Sequence, residues 1–189
     1  MTAEYHELPA DLPVPEDDGA ADHLPGAAVP PLRLARAGGG ELDLAEAAPG
    51  MLVAFVYPRT GTPGIPSPRG WDDIPGARGC TPQSCAFRDL HGELSELGAT
   101  VVGISAMDPN EQAEFGRRER IPYPLLNDRA LRLAEELGLP TFEAAGMRLY
   151  KRLTFVARRA AIVKVFYPVF PPDRNAAEVV QWLRASGRG

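Results

Sequence analysis

Two thiols five positions apart are the most reactive side chains in this sequence. Cys80 and Cys85, in "GCTPQSC" (79–85), are its only cysteines. Such a pair can be a crosslink, part of a metal site, or a nucleophile with a partner. Two cysteines do not complete a four-ligand zinc site, and His91 is the one histidine close by in sequence, with His6 and His23 far upstream. The spacing is also wider than CxxC.

What the thiols can do depends on the element that carries them. Phe87, Leu90, Leu94 and Leu97 recur at three- and four-residue spacing and predict an amphipathic helix ended by Gly98. Thr81 is the expected N-cap, with Pro82 in the first turn. Cys80 then falls at the helix start, where unpaired N–H groups and the helix dipole favour a thiolate. Cys85 projects with Asp89 and Glu96 away from the apolar stripe. Five residues of regular helix exceed the span of about 7 Å that a disulfide tolerates, so bonding the pair requires the first turns to unwind. That suits a transient redox bond better than a staple. An inert exposed pair and a metal-binding pair remain open on these residues alone.

The surrounding elements alternate. "PLRLARAGGGELDL" (31–44) reads as a β-hairpin about a Gly-rich turn, and "MLVAFVYP" (51–58) as a strand buried on both faces. Residues 58–79, dense in Pro and Gly, form a long loop leading into Cys80. Further strands are read at "ATVVGISA", "YPLLND" and, as an antiparallel pair turning near Arg158 and Arg159, "RLTFVARRAAIVKVFYPV". Helices are read at "DPNEQAEFGRRER", entered through Asp108 and Pro109, at "RALRLAEELGL", and at the closing "NAAEVVQWLRA". The pattern predicts an α/β domain over 31–189 with a central mixed sheet flanked by helices and an N-terminal β-hairpin. Residues 1–30, rich in Pro and acidic groups and without an apolar period, are expected to be a disordered tail.

Composition narrows the function classes. The 189 residues are 44% hydrophobic, enough for one core, but no run approaches the roughly 20 apolar residues of a membrane span. The net charge of −5 offers no basic field for a phosphate backbone, so neither nucleic acid nor membrane is an expected partner. The start, "MTAEYHELPADLPVPEDDGA", has no secretory signature, and the expected setting is cytoplasmic with reduced thiols.

In order along the chain, "YPRTGTPG" (57–64), "GCTPQSCAFRD" (79–89), "LLND" (125–128) and "RLTF" (152–155) resemble the peroxiredoxins, specifically the bacterioferritin-comigratory or PrxQ group. The similarity runs from about residue 31 to the last helix. The resemblance implies a thioredoxin-like fold and an atypical two-cysteine peroxidase without metal, flavin or haem. Cys80 would attack hydrogen peroxide or an organic hydroperoxide and become a sulfenic acid. Cys85 would resolve it as an intramolecular disulfide, and a thioredoxin-like donor would recycle the enzyme. Arg152 matches the arginine that stabilises the thiolate and departing oxygen, and Gln83 stands where relatives often carry Glu. A monomer is implied.

One departure stands out. Pro58 and Thr62 keep the family's mutual spacing, but "IPSPRGWDDIPGAR" intervenes before Gly79, and Ala77 lies three before Cys80. Thr62 is expected to fold back beside Cys80 while the insertion loops out, its Trp71, Asp72, Asp73 and Arg78 forming either a pocket rim or a decorated surface loop. Competing functions are a thiol–disulfide oxidoreductase and a redox-sensing binding module without turnover.

Overall fold

The computed structural model describes residues 5–47 and 50–187. Its centre is β3 (Met51–Val56), a continuous apolar run buried almost throughout. β3 pairs in parallel with β4 (Ala99–Ser105) and antiparallel with β8 (Leu153–Arg158). The sheet extends from β4 through β5 (Leu125–Asn127) to β1 (Arg33–Arg36) and β2 (Glu41–Asp43), and from β8 to β9 (Ala161–Phe166). The order β2-β1-β5-β4-β3-β8-β9 is therefore mixed, as expected. The β8–β9 turn uses Arg159 and Ala160, both at positive φ, which suits the sheet twist. A separate hairpin of β6 (Thr141–Ala144) and β7 (Met147–Tyr150) is an addition to the sequence reading.

The period-2 alternation of β3 feeds two cores. Leu52, Ala54 and Val56 join one cluster and Val53 and Phe55 the other. The second cluster holds α1 (Cys80–Asp89), α2 (His91–Glu96), α3 (Pro109–Arg118) and α5 (Asn175–Ser186) through Phe87, Leu94, Phe115 and Val179. Among the described residues, the one helix on the first face is α4 (Arg132–Leu137), through Leu133 and Leu137. Asp108 caps α3 as expected, accepting from the N–H groups of Asn110 and Glu111.

That lopsided cover corrects the reading of residues 1–30 as a disordered tail. One six-residue helix leaves apolar sheet surface uncovered, and Ala21, Leu24 and Val29 complete the first cluster. Leu24 is fully buried, worth about 1.5–3 kcal/mol against exposure. Polar contacts add to this, with the His23 ring 2.8 Å from the Leu137 carbonyl and Asp18 paired with Lys151. These few contacts follow no helix or strand period, so composition hid them. Residues 1–4 of that segment, and 188–189 at the other end, lie outside the described residues.

Two local expectations also change. The single helix over 81–98 is divided at Leu90 into α1 and α2, and α1 begins at Cys80 with Gly79, not Thr81, as its N-cap. Gly79 has φ 101°, and a Cβ there would come within 2.3 Å of Pro172, so only glycine fits both the backbone and the neighbour.

Candidate active site

Starting α1 at Cys80 puts that thiol in the first turn, 2% exposed. Its Sγ lies 3.1 Å from Nη2 of Arg152 and 3.7 Å from the Ala77 carbonyl. Arg152 immediately precedes β8, the strand that pairs with β3, and is itself only 3% exposed. A cation buried this deeply needs several acceptors. Nη2, with two N–H groups to share, lies 3.0–3.2 Å from the carbonyl oxygens of Gly76, Ala77 and Arg78, and Nη1 donates to Oε1 of Gln83. Gln83 is fixed in turn, its amide donating to Oδ1 of Asn175 at 3.0 Å, an oxygen that also accepts from Thr154. Nε of Arg152 is a buried donor with no partner among the described residues.

The insertion builds one wall. Trp71 and Ala77 pack with Leu149 of β7, and the Trp71 and Phe142 ring centres are 6.2 Å apart. The chain is thereby clamped and delivers the three carbonyls that seat Arg152. Between this wall and α1 lies a small cavity lined by Thr60, Thr62, Trp71, Arg78 and Cys80. Thr62 thus shares Cys80's pocket, and of the two readings of the insertion its Trp71 and Arg78 follow the rim. Thr81 is not a cap; its hydroxyl is buried and unpartnered.

Cys85 has different surroundings. It is 7% exposed, more buried than its place opposite the apolar stripe suggests, yet outside the hydrophobic clusters. Its Sγ is 3.7 Å from Oε2 of Glu119, a carboxylate 3.1 Å from Arg118, 3.7 Å from Arg88 and 3.3 Å from His6. Burial, and next the Glu119 charge, push the Cys85 thiol up to about 11, against the pull of Arg88. The thiol is therefore held protonated. Regular helix separates the two cysteines by about 7.5 Å along its axis, so a bond between them requires α1 to unwind. Tyr123 donates to the Ser84 carbonyl at 2.7 Å and ties down the intervening backbone.

His6, set aside with the upstream segment in the metal argument, reaches this site. Ligand atoms of His6, Cys85 and Glu119 lie within 4.8 Å of one another. Both Glu119 oxygens are already engaged by arginines, which opposes a cation there. Sequence reasoning left Gln83 as a possibility and missed Asn175 and Thr154 altogether. All three read locally as ordinary polar residues, and only the fold brings them together behind Arg152.

A reactive thiol against a buried guanidinium, with a second thiol on the same helix of a thioredoxin-like sheet, defines a cysteine-based redox enzyme. The redoxin family profile matches residues 24–180. Peroxiredoxin Q, chloroplastic, of Gentiana triflora is 30% identical over 184 residues, covering 94% of this chain and 77% of the relative. The Populus jackii protein of the same name is 31% identical over 161 residues, covering 85% and 68%. Among solved structures, peroxidoxin BcpB of Mycobacterium tuberculosis aligns with a TM-score of 0.69 and 31% identity over 85% of this chain and 96% of that one. Xanthomonas campestris peroxiredoxin Q, 23% identical with a TM-score of 0.64 over 93% and 97%, shares the fold. The chain belongs to the redoxin family, as a peroxiredoxin of the PrxQ or bacterioferritin-comigratory group. Its activity is that of a thiol-dependent peroxidase, with a peroxide as substrate and a thioredoxin-like dithiol as reductant.

Proposed function

We propose that Cys80 is the peroxidatic cysteine, Cys85 the resolving cysteine, Arg152 the electrostatic anchor of the transition state, and Thr62 a hydroxyl facing the bound peroxide. The observation that carries this is the 3.1 Å contact from Arg152 to Cys80. The Cys80 thiolate attacks the distal oxygen of ROOH, the O–O bond breaks, and RO⁻ leaves as ROH after taking a proton. Cys80 becomes a sulfenic acid. Negative charge grows on the departing oxygen, and a guanidinium already fixed by Gln83 and three carbonyls meets it without reorganising. α1 then unwinds, the Cys85 thiolate attacks the sulfenic sulfur, and water departs with formation of the disulfide. A dithiol donor reduces it.

Because both thiols lie on one helix, the cycle needs no second copy, and the proposal includes a monomer independent of nucleic acid and membrane. Among the described residues no helix is long and apolar enough to cross a membrane. Light scattering on the purified chain tests the monomer, and fractionation of the source cells tests a cytoplasmic setting. The cysteine roles are tested by thiol count and intact mass before and after one equivalent of hydrogen peroxide. Loss of both thiols and of two hydrogens in mass is expected. Two intact thiols would overturn the assignment.

A further inference from the structure

One wall residue of the Cys80 pocket comes from outside the sheet, the helices and the insertion. Tyr5, at the start of the described chain, lines the cavity. Its ring lies so close to Gly61 that a Cβ at position 61 would fall 2.1 Å from the ring Cδ1. Gly61 lacks the positive φ that demands glycine, so its missing side chain serves the ring and not the backbone. The Tyr5 phenol donates to the Ile65 carbonyl at 2.5 Å, and the Arg78 guanidinium carbon lies 5.6 Å from the ring centre. Neighbouring contacts hold the segment in place. His6 pairs with Glu119, and Leu8 packs on Gly79 beside Cys80.

With Tyr5 in place, the cavity leaves only about 20 Å³ for the centre of a water-sized molecule. One water needs about 10–15 Å³ by that measure, so with Tyr5 in place the space against the lining fits a single molecule little larger than water. Hydrogen peroxide, with two heavy atoms, is of that size; a hydroperoxide bearing an aryl or long alkyl group is not. Yet the stretch next to Tyr5 supplies apolar groups, Ile65, Pro66, Pro68 and Trp71, interrupted by Ser67. A wall of this kind has nothing to bind in hydrogen peroxide but can bury the organic part of a larger substrate.

We propose that Tyr5 is the specificity-determining residue of this enzyme: in place it reserves the Cys80 pocket for hydrogen peroxide, and displaced it opens the Ile65–Trp71 wall to organic hydroperoxides. The inference rests on the peroxidase reading and adds the substrate class to it. Tyr5 takes no part in bond making. It excludes by volume.

The test is the ratio of kcat/KM for cumene hydroperoxide to that for hydrogen peroxide, measured with a dithiol reductant on the full chain and on Tyr5→Ala, Tyr5→Phe and Gly61→Ala. Steric discrimination in an apolar pocket spans roughly 10–200-fold, so the ratio is expected to rise at least about tenfold in Tyr5→Ala. Gly61→Ala, whose methyl expels the ring while leaving Tyr5 in the chain, is expected to move it the same way. Tyr5→Phe, which keeps the ring and loses the Ile65 hydrogen bond, should fall between. Turnover of hydrogen peroxide with a ratio unmoved in Tyr5→Ala and Gly61→Ala overturns the gate and leaves the peroxidase intact. Absence of turnover with either peroxide in the unsubstituted chain overturns the peroxidase reading and the gate with it.

Discussion

Cys80 and Cys85 share one helix and similar burial, yet their surroundings carry opposite charge. Cys80 faces a guanidinium donor, whereas Cys85 faces the Glu119 carboxylate. Burial, and next Glu119 against the pull of Arg88, pushes the Cys85 thiol up to about 11. Similar burial therefore does not make the two sulfurs alike. Cys80 has a guanidinium beside it, whereas Cys85 is held protonated, by burial first, until the helix opens.

The largest expected effect comes from removing the ready thiol. Cys80→Ser should lower peroxide consumption by more than about a thousandfold, since no other group supplies the nucleophile. A variant that kept measurable turnover would remove the distinction between the two sulfurs. Cys85→Ser should still form the Cys80 sulfenic acid at a near-normal rate while losing the internal disulfide and thioredoxin-linked turnover. Trapping the sulfenic acid with a dimedone-type reagent checks this, and an unchanged disulfide yield would exclude Cys85.

Arg152→Lys keeps the charge but loses the planar fork that spans Gln83, the carbonyls and Cys80. A loss of about 10²-fold in kcat/KM for peroxide is expected, as when one transition-state donor is removed. Equal activity would mean that charge suffices without geometry.

The smallest effect concerns the reserve thiol. Its folded pKa lies above the ordinary value near 9, so the folded helix favours the protonated form. That stabilisation is fully present below about pH 9 and is lost as pH rises towards about 11. The opening of α1, followed by hydrogen exchange, should therefore become easier across this window, and Cys85→Ser should abolish that pH dependence. Glu119→Gln removes the neighbouring charge and should lower the pH midpoint for alkylation of Cys85, measured in the Cys80→Ser background. Burial remains the larger cause, so the midpoint should stay above 9.

Much of the framework could be read directly. Alternation across Leu32, Leu34, Leu42 and Leu44 marks the first hairpin, the apolar run at 51–56 marks the central strand, and Asp108 with Pro109 marks a helix entry. The β6–β7 hairpin was missed because its strands are short and its exposed and buried residues alternate weakly. Residues 5–30 were misread because they are held by scattered contacts of Leu24, His23 and Asp18, none of which repeats along the chain. At the site, the cysteines announced themselves by type and spacing, and Arg152 only through resemblance.

The sequence by itself determined the elements and the location of both thiols on one helix, because periodicity, caps and spacing are local properties. Tertiary structure decided which charged groups face each sulfur, and that Thr62, across the insertion, and Tyr5 both line the Cys80 pocket. Those outcomes depend on groups 34 to 72 positions apart in the chain, such as Cys85 with Glu119, Tyr5 with Ile65, and Arg152 with Cys80. Contacts of that range are fixed only when the sheet and its two cores bring distant segments together, and no local pattern encodes them.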